Sequence, residues 1–332
     1  MRRKKSTIPT VKDVAREAGV AVGTVSKVIN GKPVSEEYER RVREAIRKLD
    51  YHVNSYAQGL KATRTYTVAV LIPNTRNPFF GRLVTALAQS LSRRNYKVLL
   101  CCTDYNSRQE QEYVDMARMN KVDGIIGLTY NPDLQLSPDV PFVSIDRTFF
   151  PAVPCVSSDN FAGGQLAARK LAELGCHKVV FLRVGSTLDS EPNKRRSGFE
   201  SGCIACGLEY DICNFGDGSD LEPLFRSYLS SHIRDGRFEY DGIFCVTDLL
   251  AVIIRHLLKE HGLRAGTDVQ LIGFDGIRQF GMEDYVCSTI VQPIEAMAEA
   301  AVDLLLGDHP YTTPPLLCLP VTFHEGGTTR PF

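Results

Sequence analysis

The stretch TVKDVAREAGVAVGTVSKVINGK, residues 10–32, sets the reading of the whole chain. Thr10 followed by Asp13 is a capping-box pattern, in which each side chain satisfies a free N–H at a helix start. Val11, Val14, Ala15 and Ala18 then share one helical face, and Gly19 ends the run. A second segment, from Val22 to Ile29, follows a tight turn and stops at Asn30-Gly31. On a wheel of about 100° per residue, Val25, Val28 and Ile29 gather on the inner side. Gly23, Lys27 and Asn30 lie opposite, flanked by Thr24 and Ser26, with Val22 between the two faces. Further on, Ser35 can cap a third helix whose first turn carries Glu36 and Glu37. Its apolar stripe is Tyr38, Val42, Ala45, Ile46 and Leu49. Three short helices with a tight turn between the first two describe a helix-turn-helix unit.

The second helix is an unusual reader. Ala21 stands at its N-cap, which forgoes a side-chain cap worth about 1 kcal/mol. Gly23 adds about 1 kcal/mol of helix cost and has no side chain to read with. Lys27 is the one long donor able to reach a guanine edge, and Val22 offers only methyl contact, which suits a thymine.

Charge separates this head from the rest of the chain. Residues 1–61 hold 14 Lys and Arg against 7 Asp and Glu, while the remainder holds 25 against 32, so a net charge of zero hides a basic head on an acidic body. A basic unit with a fold of its own points to a polyanionic partner. A chain of 332 residues is long enough for two or three domains. Its 43% hydrophobic and 23% charged content is that of a water-soluble globular protein. No apolar run reaches the roughly 18 residues of a membrane span, and MRRKKSTIPT lacks the apolar segment of a signal peptide. The ten cysteines therefore read as reduced, packed thiols of a cytoplasmic, nucleoid-associated protein. Cys203 and Cys206 form one CxxC; a metal or redox role for it competes with packing on a helix, and no second pair stands at zinc spacing.

Beyond residue 61, apolar runs alternate with amphipathic stretches. YTVAVLIP, YKVLLCC and DGIIGLT read as strands, separated by helices over 79–94 and from Ser107 to about Asn120, the latter with a Ser107/Glu110 capping box. KVVFLRV, YDGIFCV and DVQLIGF repeat the pattern, with helices near 194–206 and from Asp248. Such βαβ alternation implies parallel sheets covered by helices, here in two sets that suggest two doubly wound lobes with a cleft between them. Ligands bind such sheets at the carboxyl ends of the strands. Asn77, Phe79 and Phe80 follow the first strand, Asp146 and Arg147 follow VPFVSI, Asp248 follows IFCV and Asp275 follows QLIGF. Arg195 opens the helix containing SGF. Any one such Asp is equally well a helix cap; their shared position at strand ends carries more weight.

Several of these motifs occur together in one family. TxKDVA, AGV, TVSxVING, AIxxLxY and AxxLK, in register over some fifty residues, resemble the headpiece of the lactose-repressor (LacI/GalR-type) family of bacterial transcription regulators. IPNTRNPFF, VSSDNFAGGQLAARKLAELG, KRRSGF, LIGFDG and TIVQPIEAMAEAAVDLLLG resemble its periplasmic-binding-protein-like core. The resemblance covers nearly the whole chain. It implies an N-terminal all-α helix-turn-helix headpiece (1–53), a hinge helix and linker (54–65), and an α/β core (66–332). In that core the first lobe would take about 66–160 and 292–321 and the second about 161–290 and 322–332, with crossings near 160, 291 and 322.

The resemblance also implies roles. The second helix would lie in the major groove of double-stranded operator DNA, and a hinge helix over about 54–61 would form on DNA. Leu60 would enter the minor groove there, flanked by Ala57 and Lys61, and kink the duplex. The DNA-facing set is then Thr10, Lys12, Val22, Gly23, Thr24, Ser26, Lys27, Asn30, Tyr51, Ala57, Leu60 and Lys61. Asn77, Phe79, Phe80, Asp146 and Arg147 from one lobe, with Arg195, Thr247, Asp248 and Asp275 from the other, would surround a small-molecule effector. A sugar or sugar derivative suits such a mixture of Arg, Asp and Phe. The protein would act as a homodimer on a pseudo-palindromic site, repressing carbohydrate-related genes; the absence of C-terminal heptads favours a dimer over a coiled-coil tetramer.

The chain departs from the family where Ala21 replaces a serine cap, Gly218 an aromatic, Thr247 an asparagine, Gly276 the second acid of FDD and His324 an arginine. Two other classes fit less well. A solute receptor would need an export signal and no basic head. A nucleotide-dependent enzyme would need GxGxxG or GxxxxGK[ST], neither of which is present, and the seven histidines are scattered. No catalytic set, metal site or cofactor is expected.

Overall fold

The computed structural model describes residues 9–29, 32–51, 64–185, 190–216, 221–279, 281–307 and 315–331. The chain divides into two compact units, Met1–Thr65 and Tyr66–Phe332.

In the first unit, α1 (Val11–Ala18), α2 (Val22–Ile29) and α3 (Glu36–Lys48) form three short helices. The capping box at Thr10 and Asp13 is present, and Gly19 closes α1 in the left-handed region at φ 61°. Val14, Ala15, Ala18, Val25, Val28, Val42 and Ala45 make the core. The small residues let α1 and α2 approach closely enough for a tight turn. Arg41 of α3 donates to the Gly19 carbonyl at 3.2 Å and Lys48 pairs with Glu17 at 2.6 Å, tying α3 to α1. Tyr38 departs from the expected stripe. It stands in the first turn of α3 and is 45% exposed, so the stripe that packs begins at Val42.

The second unit contains two six-stranded sheets. The first is built from β1 (Thr67–Ile72), β2 (Lys97–Cys102), β3 (Gly124–Gly127), β4 (Phe142–Ile145) and β5 (Cys155–Ser158), with helices α4 (Pro78–Arg93) and α5 (Ser107–Met119) in the crossovers. After α6 (Asn160–Glu173) come the strands β6 (Lys178–Arg183) and β7 (Glu209–Asn214), separated by a 3-10 turn at Glu191–Asn193 and by α7 (Lys194–Cys206). Next are α8 (Glu222–His232), the short hairpin β8 (Ile233–Arg234) and β9 (Arg237–Phe238), then β10 (Gly242–Cys245), α9 (Asp248–Glu260), β11 (Gln270–Asp275) and β12 (Ser288–Val291). The chain then returns to the first sheet through α10 (Ile294–Leu306) and β13 (Leu316–Leu319), and ends with β14 (Thr322–His324) in the second.

Strand order is β2-β1-β3-β4-β5-β13 in the first sheet, all parallel, and β7-β6-β10-β11-β12-β14 in the second, with only β14 antiparallel. Both sheets start in the middle and reverse direction once, which is the doubly wound pattern with its switch point beside the first strand. The inner strands β1, β6 and β11 are buried on both faces, as expected of parallel strands covered by helices. The chain passes between the sheets after Ser158, after Val291 and after Leu319. Three segments thus connect the two lobes.

Two local expectations need correction. Asn106, not Ser107, caps α5; its carboxamide oxygen accepts from the Gln109 N–H at 3.0 Å. Ser107 is already inside the helix, and Glu110 turns inward to Thr129 instead of back to the cap. It is only 3% exposed, and burial raises its pKa. The two cysteines of the CxxC point to different environments, with Cys203 buried in the second-lobe core and Cys206 exposed. No helix among the described residues is long and apolar enough to cross a membrane.

The contact between α6 and α7 is the tightest helix pair of the second lobe. A Cβ at Gly164 would run into the Arg195 carbonyl oxygen, and one at Gly198 into the Phe161 carbonyl oxygen. These obstacles are backbone atoms that cannot swing aside, so only glycine permits the approach. The same approach fixes the first turn of α7, where Arg195 begins. Gly164→Ala is therefore expected to destabilise the second unit by about 3 kcal/mol, an overpacking cost at the upper end of the usual range. Denaturant unfolding would register this, and a loss below about 1 kcal/mol would mean that the helices can slide apart cheaply.

Candidate functional site

Arg82 of α4 donates to the carbonyl of Gly276, just beyond β11, so the carboxyl ends of β1 and β11 face each other across the lobes. The strand-end residues gather there. Asp146 follows β4 at φ 58°, a left-handed conformation that turns its carboxylate inward, where it accepts from Ser157 Oγ at 2.7 Å. Arg147 beside it lays its guanidinium 4.2 Å above the Tyr130 ring. From the second lobe, Arg195 Nε donates to Asn160 Oδ1 and its Nη1 to the Val246 carbonyl, both at 2.7 Å. Its guanidinium rests 3.6 Å from the centre of the Phe274 ring, and Asp275 Oδ1 is 3.8 Å from Nη1. Asp146 feels the charges of Arg195, Arg147 and Glu191, so groups from both lobes share one electrostatic neighbourhood.

These groups are linked to the crossing segments by hydrogen bonds. Gln292, just past β12, donates to Asp275 Oδ1 at 2.7 Å and accepts from Ser158 Oγ at 2.8 Å. Asn160 donates to Ser157 Oγ at 3.0 Å and to the Ser158 carbonyl at 2.8 Å. A continuous chain of bonds thus runs Asp146–Ser157–Asn160–Arg195 on one side and Asp275–Gln292–Ser158 on the other. All seven residues are buried. Buried polar groups without partners are costly, so such a network fixes one arrangement.

Two buried polar atoms of the cleft stand outside it. Arg147 Nε and Ser190 Oγ lack a hydrogen-bond partner among the described residues, although their residues are only 9% and 1% exposed. Ser190 precedes the turn carrying Glu191, whose carboxylate is occupied by Lys194 at 2.7 Å. An unpaired buried donor costs about 1–3 kcal/mol, and a polar guest supplying an oxygen acceptor and a hydroxyl would recover it. Site chemistry is thus guanidinium, carboxylate and hydroxyl.

The remaining expected residues occupy different positions. Asn77 caps α4 by accepting from the Phe79 N–H at 3.0 Å. Phe79 and Phe80 meet edge to face, 5.7 Å apart, and are packed in the first-lobe core. Thr247 caps α9 through the Leu250 N–H at 3.3 Å. Asp248 is fully buried, accepting from Thr289 Oγ1 and the Ile277 N–H, both at 2.6 Å, and from Cys287 Sγ at 3.4 Å. Its oxygens are spent on holding the loop after β11. Sequence reading did not single out Tyr130, Ser157, Asn160, Ser190, Glu191 or Gln292. Tyr130, Asn160 and Gln292 come just after β3, β5 and β12, so the strand-end rule applied to every strand would have found those three.

In the first unit, Thr10, Lys12, Val22, Gly23, Ser26 and Lys27 lie at the surface, and Thr24 and Tyr51 are half-buried. A Cβ at Gly23 would meet nothing within 4 Å, so that glycine is not demanded by packing. It leaves the outer face of α2 open. Asn30, Ala57, Leu60 and Lys61, and with them the hinge over 54–61, lie outside the described residues, as does Gly218.

Burial dominates the titration of the cleft acids. Asp275 is pushed from the ordinary 3.8 up to about 8, opposed by Arg195 and reinforced by the like charge of Asp248. Asp248 rises to about 6, limited by its bonds from Thr289 and Ile277. Burial likewise raises Asp146. Burial pulls Arg195 down, but an arginine starts high enough to stay charged.

A carboxyl raised in the folded state holds a proton that the unfolded chain has already released. Stability therefore falls as pH rises from about 4 to about 8 through the Asp275 shift, and is level outside that window. Asp275→Asn removes this proton exchange. Its unfolding free energy is expected to vary less between pH 5 and pH 8 than that of the unaltered protein; parallel curves would show that Asp275 is ionised throughout.

A family model for periplasmic binding proteins and the sugar-binding domain of the LacI family matches residues 65–308, and one for bacterial regulatory proteins of the lacI family matches residues 10–54. The sucrose operon repressor of Pediococcus pentosaceus is 32% identical over 304 residues, covering 90% of this chain and 91% of that protein. The ribose operon repressor of Bacillus subtilis is 32% identical over 329 residues, covering 97% and 98%. A periplasmic binding protein/LacI transcriptional regulator from Alkaliphilus metalliredigens, solved with D-xylulofuranose, superposes with a TM-score of 0.68 at 27% identity, covering 80% of this chain and 99% of that one.

Proposed function

The chain belongs to the LacI family of bacterial regulatory proteins, and from that membership we propose that it represses carbohydrate-related genes in the cytoplasm in response to a sugar or sugar derivative. The observation that carries the reading is the pair of buried polar atoms, Arg147 Nε and Ser190 Oγ, that lack a partner among the described residues beside a network whose other polar groups are bonded to one another. The relatives are named for sucrose and ribose operons, and the Alkaliphilus structure holds a pentulose. A furanose or small oligosaccharide supplies the acceptors and hydroxyls that these atoms lack.

The mechanism follows from differential binding. A sugar bridging Arg147 of one lobe and Ser190 of the other is held best when the lobes are closed. It shifts the lobe equilibrium by no more than that difference in affinity. The shift reaches DNA through the segment carrying Leu60, and the operator affinity changes by the same coupling free energy. On the DNA side, Lys27 and Val22 read the major groove sparingly, so much of the discrimination falls on Leu60 and on the deformability of the operator centre.

The operator-bound species is a homodimer. Leu249 and Ile253, four apart on α9, are 39% and 40% exposed, and Met282 on the neighbouring loop is 58% exposed. Arg255 holds that loop to α9 through the Val286 carbonyl at 2.8 Å. A second copy of this chain is the occupant that a two-half-site operator requires.

Three outcomes are expected. In a melting screen, the cognate sugar at a hundred times its dissociation constant adds about 2.7 kcal/mol of stability. If sucrose, D-ribose, D-xylulose and their phosphates all leave the melting temperature unchanged, the sugar reading is wrong. Leu60→Ser weakens specific operator binding in a gel shift by at least about tenfold, the scale of one lost base-step contact, and leaves sugar binding intact. Ile253→Glu turns the dimer into a monomer in sedimentation at micromolar concentration; an unchanged dimer would place the interface elsewhere.

A further inference from the structure

Arg82 occupies no assigned position in the effector site, yet it connects the two lobes beside the second crossing, where Gly276 packs on Val291 and Glu295 stands four residues beyond it. It stands on α4, one turn after Phe79. Its Nη2 is braced within the first lobe by Glu295, at the start of α10, at 3.1 Å. Its Nη1 reaches into the second lobe and donates to the Gly276 carbonyl at 2.8 Å. A guanidinium held at both ends by different bodies reports on the distance between them.

The acceptor is unusually fixed. Gly276 donates its own N–H to Thr289 Oγ1 at 3.2 Å, and the next N–H, of Ile277, goes to Asp248 Oδ2 at 2.6 Å. Asp248 also accepts from Thr289, so the three-residue loop is clamped on a buried carboxylate. Gly276 has φ 76°, and a Cβ there would stand 2.7 Å from Val291 Cγ1, so neither the left-handed turn nor the space admits another residue. The carbonyl therefore cannot follow Arg82 if the lobes part; the bond breaks. Directly before it in the chain is Asp275, which contacts Arg195 and Gln292. The latch and the binding residue are thus one peptide apart.

We propose that Arg82 is a closure latch, a positioning residue that stabilises the closed lobes through the Gly276 carbonyl and so slows effector release without touching the effector. This assignment rests on the cleft being the effector site. Arg82 is one-third exposed at its side chain, so water can replace the carbonyl when the lobes open, and the bond can form and break repeatedly. Glu295, mostly exposed, serves to aim it.

The test uses the full chain with Arg82→Ala, Arg82→Lys and Glu295→Gln. D-ribose is the probe, followed by stopped-flow release. Arg82→Ala is expected to speed D-ribose dissociation about tenfold, the scale of one charge-assisted hydrogen bond. Its association rate should stay close to that of the unaltered protein, and its melting temperature without sugar should fall by no more than the loss of that one bond. Arg82→Lys, which keeps one donor, restores part of the slow release, and Glu295→Gln accelerates it slightly. A merely structural role would lower the melting temperature and leave the release rate alone. Equal release rates for the unaltered protein and Arg82→Ala would overturn the proposal. Small-angle scattering of the sugar-free proteins supplies an arm that needs no ligand: Arg82→Ala should give a profile of wider lobe separation and Arg82→Lys a nearly unaltered one, and identical profiles for all would also overturn it. If D-ribose fails to bind the unaltered protein, ribose is not the effector, and the scattering comparison still decides the latch.

Discussion

A buried guanidinium with unpaired donors is costly, and the second unit is arranged so that Arg195 never meets that condition. Its donors are distributed to Asn160 and the Val246 carbonyl, its face lies on Phe274, and Asp275 stands alongside. Leaving one of those charged donors buried without its acceptor costs more than the roughly 1–3 kcal/mol of a neutral group. The residue that best suits a polar ligand is therefore also one that the lobe cannot lose. Ala substitution at Arg195 or Asp275 then reports on folding as well as on binding, which is why conservative changes such as Asp275→Asn are more informative.

Arg195 is placed by packing, not by its own interactions. Glycines at 164 and 198 let α6 and α7 meet backbone to backbone, and this brings the first turn of α7 against the start of α6, where Asn160 lies. Asn160 in turn bonds the crossing segment at Ser157 and Ser158. Through Gln292 the second crossing joins the same network. The crossing segments and the polar strand ends are consequently joined through the same side chains.

The sequence was most legible where local rules act alone. Thr10 with Asp13, Gly19 and Ser35 announced the ends of the headpiece helices, and strict apolar spacing announced Val14, Val25, Val28 and Val42 as core. It was less legible where two rules compete. Ser107 with Glu110 satisfies the capping-box pattern, but Asn106 caps one residue earlier and frees Glu110 to turn inward. Tyr38 fits an apolar stripe by spacing, yet the core of so small a unit is complete without it. Phe79 and Phe80 follow a strand end, and the tertiary packing places both in the first-lobe core.

By itself the sequence determined the basic head with its three helices, the two rounds of βαβ alternation, and the strand ends as the place for polar residues. These depend on periodicity, caps and turns within a dozen residues, which a linear chain displays openly. Only the tertiary structure decided which strand-end residues meet. Asp248 was claimed by Thr289, Ile277 and Cys287, while Asn160, Ser190 and Gln292 were drawn to the cleft from segments far apart in the chain. Whether a buried carboxylate holds a loop or faces a ligand depends on which donors the other strands bring within about 3 Å. No spacing along one segment encodes that.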